Sequence, residues 1–449
     1  MRWPEFRKVH LVGIGGDGMS GLARLLWQGG ASITGSDAQA SRRLGEVAEW
    51  AEVYLGHDPA HLPPGLDAVV FSSAVAPDNP ELRAVDPDLR LPRVRALSWL
   101  WRERSVAAVV GTHGKTTTTT WIAWLMRESS PGHYIGGQVP GLPSATWGKE
   151  KLVVAEVDES DGRFLCLSPD LCVLTSIDGD HLNNYAGFFG LKTAFAAFLG
   201  HAKKVVANVD DPHVVEIVRD HRDVVTFGLS AGADFRARGV RFFREQAVFE
   251  LWAFGRRRGE VVVPGPGKHN VRNALAALAA AHILGIPISR LRDDLACAPR
   301  PRRRLEILEE NGYLVVDDYA HHPTELAAGI SALRSGWPGR RIVAIFQPHR
   351  YTRTALLAPQ FGQVLAWADE VVVTEIYPAF EEPIPGVSGR IVADAVRRAG
   401  GKAVFCRDLN RAMEAAAERI RPGDIVVGFG AGDIWRLTRE MARSLSSGS

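Results

Sequence analysis

The sequence predicts an α/β chain built on parallel sheets in three successive domains, residues 1–103, 104–303 and 304–449. Three observations carry that expectation. Short β-like runs alternate with helical patterns along most of the chain, and two glycine-rich turns each stand between such a run and a helix. The third is length, since 449 residues exceed what one hydrophobic core holds.

Composition narrows the class. Apolar content of 46%, charged content of 23% and a net charge of +2 are ordinary for a soluble globular protein and direct no field toward nucleic acid. The densest basic run, "RPRRRLE" at 300–306, is short and reads as a solvated face or a small-anion contact. The longest apolar stretch, "ALAALAAAHILGI" (274–286), is too short for a bilayer and contains His282. The four cysteines form no CxxC pair, and the N-terminus has no charged-then-apolar-then-small pattern. A cytoplasmic protein is expected, a monomer or homodimer, with neither nucleic acid nor membrane as partner.

In order, "KVHLVGI", "ASITGSD" and "DAVVFSSAV" are the strands of the first domain, with "MSGLARLLWQGG" a crossover helix and "ALSWLWRERS" an amphipathic end. A second βα series opens with "VAAVVGTHGKTTTTTWIAWLM" and runs through "LVVAEVDESD", "LCVLTSIDGDH" and "KVVANVDDP". Residues 234–264 alternate apolar and polar residues as a small antiparallel appendage, and a helix is expected after "GKHNVRN". The third series is "YLVVDDYAHHPTE", "RIVAIFQPHRYTR", "EVVVTEIYPAFEEP" and "DIVVGFGAGDI".

The first turn, "GIGGDGMSG", fits G-x-G-x-x-G at Gly13, Gly15 and Gly18, with Asp37 at the end of the next strand, near the spacing of a ribose-binding acid. Such a loop holds a diphosphate at a helix N-terminus without saying which nucleotide bears it. The alternative is a ligand-free tight turn. The second turn, "VAAVVGTHGKTT", has Val109 where the eight-residue phosphate loop has its first glycine. Backbone amides from Gly111 to Thr117 and the Lys115 ammonium can still cradle phosphates, and the Thr116 hydroxyl can take a Mg²⁺ position. Of the five threonines only the first one or two can face a nucleotide, and the others pack or bond backward. Glu156, Asp158, Glu159 and Asp161 end one neighbouring strand, and Asp178, Asp180 and His181 end another. These oxygen ligands and an imidazole suit Mg²⁺ held partly by ATP, although each acid alone could equally be solvated or cap a helix.

The motifs taken together resemble the Mur ligase family: "GIGGDGMSG", "SSAV", "NPEL", "GTHGKTTTT", "EVDESD", "DHLNNY", "KHNVRNALAA", "DDYAHHPTE", "FQPHRYTRT", "YPAFEEPIPGVSG" and "GAGDI" follow one another nearly end to end. The resemblance implies a Rossmann-like N-terminal domain for the UDP part of a sugar nucleotide, a central ATP-binding domain and a Rossmann-like C-terminal domain that brings the amino acid. The implied activity is ATP-dependent amide formation in peptidoglycan precursor synthesis, joining L-alanine to the lactyl carboxylate of UDP-N-acetylmuramate through an acyl phosphate. Two phosphate loops then serve two nucleotides.

By the same resemblance the sugar nucleotide meets Gly15, Gly16, Gly18, Met19, Ser36, Asp37, Ser72 and Ser73, and ATP meets Gly111, Thr112, His113, Gly114, Lys115, Thr116 and Thr117. Thr116 and Glu159 ligate one Mg²⁺ and His181 a second, while His113 touches the muramyl carboxylate or simply shapes the turn. His269, Asn270 and Asn273 contact adenine, where position alone reads a helix entry and an N-cap. Arg304 is the junction arginine, although the family usually has an aromatic where Leu305 stands. Tyr319 and His321 lie near the incoming amine, whose proton His321 is suited to accept because imidazole titrates near neutral pH. Arg350 and Arg353 are expected to fork jointly onto the alanine carboxylate, a solvated surface position being the alternative for each. A metal site at His321, His322 and Glu325 is disfavoured, because adjacent histidines point in different directions.

Ser176 and Asp178 stand where the family usually has asparagine and glutamate, which puts ligand roles there in doubt; Lys192 is not expected to be carbamylated. Three rivals remain: a relative that attaches a tripeptide to the same sugar nucleotide, a dinucleotide-dependent oxidoreductase, and a non-catalytic UDP-sugar sensor. The second leaves Lys115 and the acidic strand ends unexplained. The third would not turn over ATP.

Overall fold

The computed structural model describes residues 6–180 and 182–447. By internal contact they form two units. One runs to residue 239 and takes in 249–261 and 272–299; the other comprises 240–248, 262–271 and 300 onward.

The first unit opens with a five-stranded parallel sheet in the order Glu52–Leu55, Ser32–Asp37, Lys8–Val12, Ala68–Phe71, Arg90–Pro92. Val9, Leu11 and Val12 are all buried, so the first strand is covered on both faces and its apolar run is nearly continuous. Strand order reverses around Lys8–Val12, and the crevice for a ligand opens at its C-terminal end.

The larger sheet is centred on Ser105–Val110, flanked in parallel by Leu152–Glu156 and Leu171–Leu174. Lys204–Asn208 and Val224–Gly228 continue it on one side. On the other lie Gly132–Tyr134 and the antiparallel Ala145–Thr146. The consecutive strands Phe235–Phe243, Gln246–Ala253 and Arg256–Pro264 extend one edge as the expected appendage. The threonine run lies in the helix Lys115–Leu125, where Thr119 Oγ1 donates to the Lys115 carbonyl (2.9 Å) and Thr120 Oγ1 to that of Thr116 (2.7 Å). These threonines bond backward, which costs helix propensity but satisfies their hydroxyls. The helix expected after "GKHNVRN" instead starts inside it, at Lys268, because the turn is already made by Gly267 at φ +94°.

The five-stranded sheet does not stand apart from the central strands. Tyr134 Oη donates to the Gly18 carbonyl (2.7 Å), and Trp147 Nε1 to that of Leu25 (2.7 Å).

The second unit holds six strands in the order Glu306–Asn311, Tyr313–Asp318, Ile425–Phe429, Ile342–Phe346, Glu370–Val373, Ala403–Phe405. The first is antiparallel and the rest parallel. Register aligns Asp318, Phe429, Phe346 and Val373, so the loops that follow these residues share one edge. Among the described residues no helix is long and apolar enough to cross a membrane.

Candidate nucleotide and amino-acid sites

The second glycine turn is strapped down by its neighbour strand. Thr112 N donates to the Ser176 carbonyl (3.0 Å), His113 N to Ser176 Oγ (3.0 Å), Asp178 N to Thr112 Oγ1 (2.9 Å) and Thr175 Oγ1 to the His113 carbonyl (2.6 Å). His113 Nε2 meets Asp178 Oδ2 at 3.0 Å. Ser176 and Asp178 therefore have a place in the site, holding the loop, which their departure from the family pattern concealed. Gly111 sits at φ +128°, and a β-carbon there would strike Thr175 and the Ser176 backbone. Gly114, at φ +85°, caps the helix, with Asn273 Oδ1 only 2.5 Å from where its β-carbon would stand. That places Asn273 against the loop.

Lys115 is the first residue of the helix, and its half-buried side chain carries Nζ to the Gly111 carbonyl (2.6 Å) and Glu159 Oε2 (2.9 Å). Burial disfavours its charge, but Glu159 and Asp158 outweigh burial and push its pKa up. Burial likewise raises Glu159 against the pull of Lys115. Thr116 Oγ1 donates to Glu156 Oε1 (3.0 Å), so Glu156, not Glu159, is the acid on that hydroxyl. Thr117 is buried beside Thr116. The Thr116 hydroxyl, half-buried Glu156 and buried Glu159 around a lysine are hard oxygen donors that fit a divalent cation. His181, the expected ligand of a second cation, lies outside the described residues.

The first turn is furnished differently. Gly15 N already donates to Asp37 Oδ2 (2.9 Å), and Gly16 is the N-cap of the helix Asp17–Gln28. A β-carbon at Gly18 would collide with Arg93 Nη1 and lie 2.9 Å from Tyr134 Oη, so this glycine serves close packing. Met19 is in the core and can offer a ligand only its backbone. Ser72 Oγ accepts from Ala74 N (3.3 Å), and Ser73 is exposed at the crevice.

Ser36 belongs to a buried polar cluster that reading along the chain missed. Its hydroxyl donates to Glu81 Oε2 (2.5 Å) and meets His57 Nδ1 (2.9 Å). His61 Nδ1 reaches Glu81 Oε1 (2.9 Å), and His10 Nε2 lies 3.5 Å from Oε2. Burial opposes ionisation of Glu81, but the bonds from His10, Ser36 and His61 prevail and hold it at about 2. These five residues come from four separate stretches of the chain, so no spacing announced them as one cluster.

In the second unit Asn270 Nδ2 donates to the Pro266 carbonyl (2.8 Å), and His269 lies against Gly267. Arg304 stands over the Tyr319 ring (5.3 Å) and 3.7 Å from Glu325 Oε1. Leu305 adopts φ +48° in the place usually held by an aromatic, with its amide on Asp318 Oδ2 (2.7 Å). Glu325 Oε2 accepts from the amides of His321 (3.0 Å) and His322 (3.3 Å), which makes it a helix cap. The rings of Tyr319, His321, His349 and Tyr377 follow one another at 5.5, 5.7 and 5.7 Å. His349 and Tyr377 were not singled out in the sequence, although the motifs "FQPHRYTRT" and "YPAFEEP" contain them. Arg353 Nη1 lies 3.3 Å from His349 Nδ1. Arg350 is held at φ +71°, a strain of about 1–3 kcal/mol for a non-glycine residue, by its amide on the Tyr377 carbonyl (2.9 Å). Its Nε is buried with no hydrogen-bond partner among the described residues, a donor suited to an anion.

A lysine-bearing phosphate turn with acidic strand ends, a glycine turn on a second parallel sheet and a histidine–arginine cluster on a third define a nucleotide-dependent α/β enzyme. The chain belongs to the Mur ligase family: residues 8–103 match the Mur ligase family catalytic domain, 109–281 the Mur ligase middle domain and 303–432 the Mur ligase glutamate ligase domain. It is 42% identical to the UDP-N-acetylmuramate–L-alanine ligase of Solidesulfovibrio magneticus, covering 96% of this chain and 97% of that one. Identity to the enzyme of the same name from Trichlorobacter lovleyi is 41%, over 98% and 99%. The solved UDP-N-acetylmuramate-alanine ligase MurC of Thermotoga maritima superposes with a TM-score of 0.85 at 29% identity, covering 98% of this chain and 100% of that one.

Proposed function

We propose that this chain is an ATP-dependent ligase of peptidoglycan precursor synthesis, acting in the cytoplasm to join L-alanine to the lactyl carboxylate of UDP-N-acetylmuramate with release of ADP and phosphate. The observation that carries the reading is likeness along the whole chain to enzymes of that name, 42% identical over 96% of this sequence. On this reading residues 1–103 take the sugar nucleotide, 104–303 ATP and 304–449 the amino acid.

Lys115 and the loop amides hold the β- and γ-phosphates, and His113, fixed by Asp178, faces the lactyl carboxylate. A carboxylate oxygen attacks the γ-phosphorus and ADP leaves, so a poor acylating group becomes an acyl phosphate. Thr116 and Glu159, with Glu156 beside them, would hold Mg²⁺, and His181 a second ion. Bound Mg²⁺ supplies charge neutralisation on phosphate oxygens. His269, Asn270 and Asn273 take adenine, and Arg304 closes the junction. Arg350 and Arg353 receive the alanine carboxylate, for which the unpartnered Arg350 Nε is an available donor. The amine attacks the acyl carbon, phosphate departs, and the amine's proton passes to His321. With its own proton on Nδ1 toward the Tyr319 carbonyl (3.1 Å), His321 is basic at Nε2.

The test is phosphate release from Mg-ATP with UDP-N-acetylmuramate, with L-alanine, glycine, L-serine and the tripeptide supplied separately. Release that requires both the sugar nucleotide and L-alanine is expected. Turnover with the tripeptide alone overturns the choice of acceptor, and sugar-nucleotide binding without any ATP turnover overturns the ligase.

A further inference from the structure

Between the two glycine turns lies a group of charges of which only Lys115 belongs to a loop motif. Arg93 opens the helix Arg93–Trp101 directly after the last strand of the five-stranded sheet. Its Nη2 donates to Asp158 Oδ2 at 2.9 Å. Its Nη1 occupies the space that a β-carbon at Gly18 would need, so the guanidinium lies against the first turn of the helix that follows the first loop. Asp158 adjoins Glu159, whose carboxylate is 2.9 Å from Lys115 Nζ. Two ion pairs thus meet at one strand end, Arg93 with Asp158 and Lys115 with Glu159. Asp158 faces Arg93 one residue away from the carboxylate that Lys115 engages.

We propose that Arg93 is a positioning residue of the ATP site: by engaging Asp158 it keeps that carboxylate off Lys115 and leaves the ammonium to the nucleotide's phosphates. This rests on the reading of the Lys115 loop as the ATP loop. Because the same guanidinium leans on Gly18, the arrangement also ties the first loop's helix to the acidic strand end. Arginine suits the task, since its charge persists at every relevant pH and its planar fork can bond Asp158 while lying flat on a glycine. Electrostatics agree. Burial disfavours the Asp158 carboxylate, yet Arg93 first and Lys115 second hold it well below the usual carboxylate range. Removing Arg93 leaves Lys115 as the remaining cation of that pair, and a lysine clamped between Asp158 and Glu159 is a weaker phosphate ligand.

The experiment compares wild type, R93M, R93K, D158N and R93M/D158N by steady-state phosphate release with ATP and sugar nucleotide varied in turn, and by calorimetric binding of ADP to the resting protein. R93M is expected to raise the ATP KM and weaken ADP binding roughly tenfold, with kcat less affected, while the double variant returns to within about twofold of D158N. R93K falls between wild type and R93M. A purely structural role for Arg93 would not be rescued by removing the Asp158 charge. An unchanged ATP KM in R93M, or a double variant as impaired as R93M, overturns the proposal. If R93M does not fold, D158N decides: ADP affinity equal to or above wild type is expected, and a loss of affinity overturns. Wild type without ATP turnover would instead remove the reading on which the proposal stands.

Discussion

The two glycine turns look alike in sequence and do opposite things in space. At the first, one amide is already taken by Asp37 and the third glycine is spent on contact with Arg93 and Tyr134. At the second, both glycines adopt positive φ, and the loop delivers a half-buried lysine among carboxylates. The first turn is a seat between strands and the second a charged receptacle. A glycine pattern alone does not tell one from the other, because a missing β-carbon serves close packing and close phosphate approach equally well.

The sharpest way to separate them is Lys115→Met. Turnover is expected to fall by roughly 10³-fold or more, since charge stabilisation of the transferring phosphoryl group is lost, while sugar-nucleotide binding by calorimetry stays near wild type. Equal loss of both would mean the loops act as one site. Next in size is Gly18→Ala. Its β-carbon meets the Arg93 guanidinium, and destabilisation of about 1–3 kcal/mol is expected in urea titration. The control is Gly45→Ala in the helix Arg42–Ala48, where nothing lies within 4 Å of the new carbon. That change is expected to stabilise by about 0.5–1 kcal/mol. Ser176→Ala removes the acceptor for His113 N and should raise the ATP KM by several-fold, about 1 kcal/mol for one hydrogen bond, with the sugar-nucleotide KM unchanged.

The smallest effects distinguish buried carboxylates in the two units by pH. Glu81, held at about 2 against an ordinary 4.5, stabilises the fold at every pH above 4.5, and that contribution is lost as pH falls from 4.5 toward 2. Asp317 and Asp318 have the opposite sign. Burial pushes each up to about 6 from 3.8, against Arg303 and Arg304 respectively, so their contribution is complete below 3.8 and lost as pH rises through 6. Wild type should therefore gain melting temperature between pH 8 and pH 5, and a D317N/D318N variant should lack that gain. The gap between wild type and E81Q should stay constant over the same range and close only below pH 4.5.

Much of this was legible because its signals are local. Strand–turn–helix patterning, the alternation of residues 234–264, the backward bonding of Thr119 and Thr120 and the lysine of the second turn each depend on residues within a few positions of one another. What was not legible depends on residues far apart in the chain. The bond of the Ser36 hydroxyl to Glu81 and the burial of the Met19 side chain in the core are set by residues distant in the chain. Reading along the chain doubted Ser176 and Asp178 for being too short to reach a ligand, and their length is what lets them bond the loop itself.

The sequence by itself determined the fold class, the family and the chemistry offered at each strand end, because periodicity and side-chain type are properties of the chain. Only the tertiary structure decided which carboxylate pairs with which cation. Arg93 and Asp158 are 65 residues apart, as are His113 and Asp178, and no spacing in the chain anticipates a 3 Å contact set by how parallel strands register.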